Sequence, residues 1–130
     1  MTPSSTFALS RIILFAHRVD KLKSFYTENF NFPVVEEISD QWLVLSTGAA
    51  ELAIHRIGRD YEPTDGSEFR AESNTKLVFR ITGDLKDFRQ LLLDKGTTIG
   101  EVRSFEGISS LFCDGEDPEG NVFQLEQRLA

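Results

Sequence analysis

The chain has 130 residues, 40% of them hydrophobic and 27% charged, with a net charge of −7. That length can bury one sizeable core, or two small halves sharing one, and the composition is that of an ordinary globular protein. The acidic balance argues against binding a phosphate backbone, which needs a basic face, so nucleic acid is not an expected partner.

A single cysteine excludes an internal disulfide and any CxxC metal pair. Residues 1–10 lack a basic start followed by a long apolar run, and the longest apolar stretch, Ile12 to Ala16, is far too short to span a bilayer. The expectation is a cytoplasmic chain with no membrane partner.

In chain order, Arg11 to Ala16 is an apolar run rich in β-branched residues and reads as a strand. Val19, Leu22, Tyr26 and Phe30, joined by Phe25, recur at helical spacing and predict an amphipathic helix. After Asn31-Phe32-Pro33, short strands are expected at Val34 to Ile38, Trp42 to Leu45 and, beyond a turn at Gly48, Glu51 to Ile57. Gly58 to Thr75 is polar and aperiodic, and suits an exposed linker or a lid over a cavity.

The second half repeats this order. Lys76 to Ile81 alternates as a strand. Thr82 or Asp84 can cap a helix carrying Leu85, Phe88 and Leu92 and ending at Gly96. Strands then follow at Glu101 to Phe105, Leu111 to Cys113 and Val122 to Gln127. Leu22-Lys23-Ser24-Phe25 matches Leu85-Lys86-Asp87-Phe88 about half a chain later, which supports a duplicated order. The predicted class is α+β, one domain over 1–130 made of two βαβββ modules, about 8–58 and 75–128, joined by a linker at 59–74.

Before the last strand, Asp117-Pro118-Glu119-Gly120 reads as a tight turn. Proline pre-sets φ, aspartate bonds its own backbone, and glycine suits the exit. The strand after it puts Phe123 and Leu125 on one face and Gln124 and Glu126 on the other.

With the paired modules, the Phe25-Tyr26 pair late in the first helix, and the Asp117-Pro118-Glu119-Gly120-Asn121 turn, the sequence resembles the glyoxalase/bleomycin resistance protein/extradiol dioxygenase superfamily, also called vicinal oxygen chelate. The resemblance runs from about Arg11 to Arg128. It implies a paired partial barrel with helices outside, whose two concave faces enclose a site, and in many members a homodimer. For the family's enzymes it implies a divalent metal held by His and Glu from the first and last strands of each module. Members without metal, such as drug-sequestering binders, use the same cavity for a ligand.

Carried over one residue at a time, the ligand place early in the first strand falls on Arg11. The place opening the second module falls on Lys76, and the glutamate place four residues after Gly120 falls on Gln124. The fourth place lies in the strand Glu51 to Ile57, where one alignment puts Leu52 and another Glu51. Arginine and lysine are cations with donors only, and a neutral amide is a weak ligand beside a carboxylate. No metal or other cofactor is expected.

Alternation along the strands then brings Ile13 and Phe15 beside Arg11, Val78 and Arg80 beside Lys76, and Val122 and Glu126 beside Gln124. Arg11, Lys76, Arg80 and Gln124 among apolar walls would suit a small organic ligand, anionic or aromatic, with Arg11 gripping a carboxylate, phosphate or enolate bidentately. The competing reading pairs Arg11 and Lys76 with Glu51 and Glu126, so that they satisfy one another. An enzyme is the alternative. Glu51 and His55 share a strand face and, with Glu126, can form a displaced metal site for a glyoxalase-like lyase or dioxygenase, with His55 as general base. A plainer alternative is a dimeric interaction module with a filled cavity. His17 is expected at the surface, Cys113 as a buried structural thiol, and Trp42 in a pocket wall or the core.

Overall fold

The structure, a computed structural model, describes residues 5–58 and 69–129. The chain divides into two compact units, Met1–Glu62 and Pro63–Ala130. Each is a βαβββ module.

The first module runs β1 (Arg11–Ala16), α1 (Val19–Phe30), β2 (Val34–Ile38), β3 (Trp42–Ser46) and β4 (Glu51–Arg56). Its sheet has the order β1-β4-β3-β2, with β1 parallel to β4 and the other pairs antiparallel. A parallel pair needs a long crossover, which α1, β2 and β3 together provide. α1 packs on β3 and β4. Its Leu22 and Tyr26 are fully buried, as are Leu43, Leu45 and Ile54 on the strands. Each such side chain contributes about 1.5–3 kcal/mol of burial. The helix stops at Asn31, which adopts the left-handed conformation (φ 58°) and donates its N–H to the Thr27 carbonyl.

The second module runs β5 (Leu77–Arg80), α2 (Leu85–Asp94), β6 (Arg103–Phe105), β7 (Ile108–Glu116) and β8 (Val122–Arg128). Its sheet order, β5-β8-β7-β6 with β5 parallel to β8, repeats that of the first. Of the two candidate caps, Asp84 is the one used: its Oδ1 accepts the Asp87 N–H at 3.0 Å. Gln127 Oε1 accepts the Leu85 N–H at 2.9 Å, so the last strand also holds the first turn of α2. Leu85, Leu92, Phe123 and Leu125 make the core of this module.

The α+β class and both βαβββ modules are as the sequence indicates. Most strands agree within a residue or two, but β7 differs. It spans Ile108–Glu116, where the apolar pattern picks out only Leu111 to Cys113. A tight turn through Glu106-Gly107 starts it early, and pairing with β8 carries it through Asp114 and Gly115, residues of low strand propensity. β6 is correspondingly shorter, beginning at Arg103 instead of Glu101.

The turn before β8 is built as its residues suggest. Asp117 Oδ1 accepts the N–H groups of Glu119 and Asn121 at 2.9 and 3.0 Å, and Gly120 takes a φ of 85°. Ala71 donates its N–H to the Glu119 carbonyl at 2.7 Å, tying the end of the linker to this turn. The rest of the linker, 59–68, lies outside the described residues. Among the described residues, no helix is long and apolar enough to cross a membrane.

Candidate functional site

Successive strand residues point to opposite faces, so the helix of each module covers one side of its sheet and leaves the other side to the remaining residues. In the first module the register aligns Arg11 with Glu51 and Ser46, Ile13 with Ala53 and Val44, and Phe15 with His55 and Trp42. Leu52, buried at 3% exposure, belongs to the helix side, so the residue facing away from α1 is Glu51.

Arg11 donates from Nε and Nη2 to Glu51 Oε1, at 3.1 and 2.9 Å. Its guanidinium also lies 5.5 Å from the centre of the Trp42 ring, within cation–π range. The His55 ring lies 5.6 Å from Phe15 on one side and 5.6 Å from Trp42 on the other. Trp42 is held in turn by its Nε1–H, which donates to Glu36 Oε2 at 2.9 Å. Phe15 and Ile13 nonetheless stay 57% and 45% exposed. The result is an open shelf of flat apolar surface with one cation at its edge. The Arg11–Glu51 pair is itself about one-third exposed, so it contributes at most about 1 kcal/mol, and a ligand can compete for Arg11.

In the second module the open face carries Lys76, Val78, Arg80, Gln124, Glu126 and Asp114. Lys76 Nζ donates to Asp114 Oδ2 at 2.7 Å, and Gln124 Nε2 donates to Asp114 Oδ1 at 3.1 Å. Burial pushes the Asp114 carboxyl up, but the hydrogen bonds from Lys76 and Gln124 and the charges of Lys76 and Arg103 outweigh it, so the carboxyl titrates below its ordinary 3.8. Arg80 stands level with Glu126, whose Oε2 accepts the Ser110 hydroxyl at 2.9 Å.

The sequence-derived residues therefore fall into two groups, one on each module. Arg11 does meet Glu51. Lys76 meets Asp114 and not Glu126, because the β5–β8 register sets Arg80 level with Glu126 and leaves Lys76 four residues, about 13 Å of strand, away. His17 is half-buried where β1 turns into α1, with its Nδ1 buried, and is not the surface residue expected. Cys113 is buried, and burial pushes its thiol up to about 11, with Arg89 lowering and Asp114 raising it. Such a thiol holds its proton at neutral pH and makes a poor nucleophile.

Asp114 is the residue that sequence reasoning missed. Its role depends on β7 reaching Glu116, which aligns Asp114 with Gln124; a strand ending at Cys113 leaves it in a loop. Trp42 was legible only as a wall residue, since its contact with Arg11 depends on which strands are neighbours.

The residues at the family's metal places suit a divalent cation poorly. Arg11 and Lys76 are cations already engaged by carboxylates, and Gln124 is a neutral amide bonded to Asp114. Glu51 and His55 lie four residues apart on β4, and an ion between them would require Glu51 to leave Arg11 and His55 to leave its aromatic neighbours. Among the described residues, no three His, Cys, Asp or Glu side chains come together in a metal-binding group. A groove of about 710 Å³ lies on the α1 side of the first module, lined by Arg18, Asp20, Lys23, Glu37, Asp40 and Arg56 among others. Those charges pair with one another, at 2.8 Å for Lys23–Glu37 and 2.7 Å for Arg56–Asp40, as in a solvated cleft.

Residues 8–125 match the Glyoxalase/Bleomycin resistance protein/Dioxygenase superfamily. No curated protein sequence matches the chain. Among solved structures, the genomically encoded fosfomycin resistance protein FosX of Listeria monocytogenes is similar at a TM-score of 0.73 and 15% identity, over 96% of each chain. The lactoylglutathione lyase of Agrobacterium tumefaciens is similar at a TM-score of 0.70 and 15% identity, over 98% of this chain and 96% of that one. A virulence protein of Salmonella typhimurium reaches 0.70 at 20% identity, over 96% and 99%. At these identities the likeness speaks for the fold alone.

Proposed function

We propose that this chain, which belongs to the Glyoxalase/Bleomycin resistance protein/Dioxygenase superfamily, binds a small organic ligand on its open sheet faces without the family's usual metal. The observation that carries this reading is the first module's shelf. Phe15, His55 and Trp42 offer flat apolar surface, and Arg11, bound to Glu51 only at a partly exposed site, offers a cation for an acidic group. On the second module's own open face, Lys76, Arg80 and Gln124 offer polar contacts to a ligand bound there. Membership of the superfamily, in a fold shared with proteins named for fosfomycin resistance and for lactoylglutathione lyase, is the reason a small molecule is proposed as the ligand. A cytoplasmic homodimer is proposed on the superfamily membership alone, and sedimentation of purified protein checks its oligomeric part.

The test is native mass spectrometry of protein purified without added ligand, alongside Arg11→Ala. Wild type should carry a small-molecule adduct, or take one up from a library of aromatic acids, and Arg11→Ala should lose it. Equal uptake by both proteins would overturn Arg11's part, and no uptake of any aromatic acid would overturn the reading. The enzyme alternative, a lyase or dioxygenase using Glu51 and His55, has no observation in its favour comparable to the shelf.

A further inference from the structure

On the open face of the first module, strand pairing brings Arg11 level with Glu51, and Phe15 level with His55 and Trp42. A second carboxylate reaches this face through an irregularity in β2. Val34 opposes Leu45 and Glu36 opposes Val44, so two steps along β2 meet one step along β3, and Val35 is the extra residue of a bulge. Without the bulge, Glu36 would stand opposite Leu43, which is fully buried on the side that α1 covers. The bulge turns Glu36 to the open face instead, where its Oε2 accepts the Trp42 Nε1–H at 2.9 Å. Glu37, the next residue, falls on the helix side and pairs with Lys23 at 2.8 Å.

Arg11 therefore shares its face with two carboxylates. It donates from Nε and Nη2 to Glu51 Oε1, and its guanidinium lies 5.5 Å from the centre of the Trp42 ring that Glu36 holds. A guanidinium has five N–H donors. Nη1 takes no acceptor among the described residues, so the end-on edge stays open to a ligand while Glu51 keeps the side edge. One negative charge on a ligand meets that edge. A second is repelled by Glu51 and Glu36 and costs more to strip of water. Among the described residues, the strands of this face carry no second lysine or arginine to receive it. We propose that Glu36 and Glu51 make the shelf selective for singly charged aromatic acids, carboxylates or sulfonates, over doubly charged aromatic phosphates and phosphonates. This selectivity rests on the ligand-binding reading above and needs the first module alone.

Benzenesulfonate and phenylphosphonate share a shape and, in mildly alkaline buffer, differ by one charge; the same buffer keeps imidazoles neutral. Trp42 is the one tryptophan of the chain and lies on the shelf, so its emission follows titration of each into the full chain, with benzoate as the reference. Wild type should bind the sulfonate about three- to five-fold more tightly than the phosphonate, the scale of one exposed charge interaction. Glu51→Gln and Glu36→Gln each remove a charge and keep an oxygen to accept from Arg11 or Trp42. Either should bring the two ligands within about two-fold of each other, and benzoate binding that persists shows the shelf intact. Glu37→Gln, on the helix side, should leave the preference as it is. A phosphonate that binds wild type as tightly as the sulfonate, or a preference that survives in Glu51→Gln or in Glu36→Gln, overturns the selectivity, while benzoate binding keeps the ligand reading. If none of the three anions changes Trp42 emission or gives heat in calorimetry, the ligand-binding reading itself fails.

Discussion

Gly115 lies level with Phe123 on the neighbouring strand, one rung from the Asp114–Gln124 pair. A Cβ added there would stand 2.5 Å from Phe123 Cζ, 2.9 Å from Cε2 and 3.1 Å from Cε1. Carbon atoms pack at about 3.5–4.0 Å, so the overlap is roughly 1 Å against a ring that is 0% exposed and packed beside Phe79. Forcing a methyl into such a core costs about 1–3 kcal/mol, and the tight contact places Gly115→Ala at the upper end. Replacing a strand glycine returns about 0.5–1 kcal/mol of backbone entropy, leaving a net loss of about 2 kcal/mol. Leucine at 123 lacks the three ring atoms that clash. In a Phe123→Leu background, Gly115→Ala should therefore be neutral or slightly stabilising, a coupling of about 2–3 kcal/mol. Urea unfolding of the four proteins gives the cycle directly. Additive losses, or a Gly115→Ala protein within about 0.5 kcal/mol of wild type, would refute the packing argument.

Cys113, with its thiol pushed up to about 11, should resist thiol reagents at pH 8 in the native protein and react at once in denaturant; rapid native labelling would contradict its burial. Because that folded value lies above the reference 9.0, its contribution to stability is complete below pH 9 and is lost as the pH rises toward 11. Asp114 has the opposite sign: its folded value lies below 3.8, so its contribution is present above 3.8 and is lost as the pH falls through the lower folded value. Asp114→Asn should thus be less stable than wild type at pH 7, by under about 1 kcal/mol for so exposed a pair, and the difference should vanish in acid; a gap that persists in acid would contradict this. Gly120→Ala forces a side chain into a left-handed backbone, with Arg70 Nη2 only 3.1 Å away, and should cost about 1–2 kcal/mol in thermal unfolding.

The two modules were legible because their signals are local. The 3.6-residue recurrence of Val19, Leu22 and Tyr26 marks α1, and the Asp117 turn announces β8 by side-chain chemistry alone. The site was legible only where alternation along one strand sufficed, as for Arg11 with Phe15 and Glu51 with His55. What needs two strands in register was not. Asp114 meets Gln124 because β7 continues past its apolar stretch, and Arg11 reaches Trp42 because β4 lies between their strands. Pairing overrides the propensity of Asp114 and Gly115, and no single-strand pattern reports it.

The proposal that matters most is that this member of the superfamily binds its ligand without a metal. Elemental analysis of protein purified without chelator tests it most directly. Zinc, nickel, iron and manganese should each be far below one per chain, with aromatic-acid binding unchanged by added metal. A stoichiometric metal, lost together with activity in Glu51→Ala or His55→Ala, would contradict it.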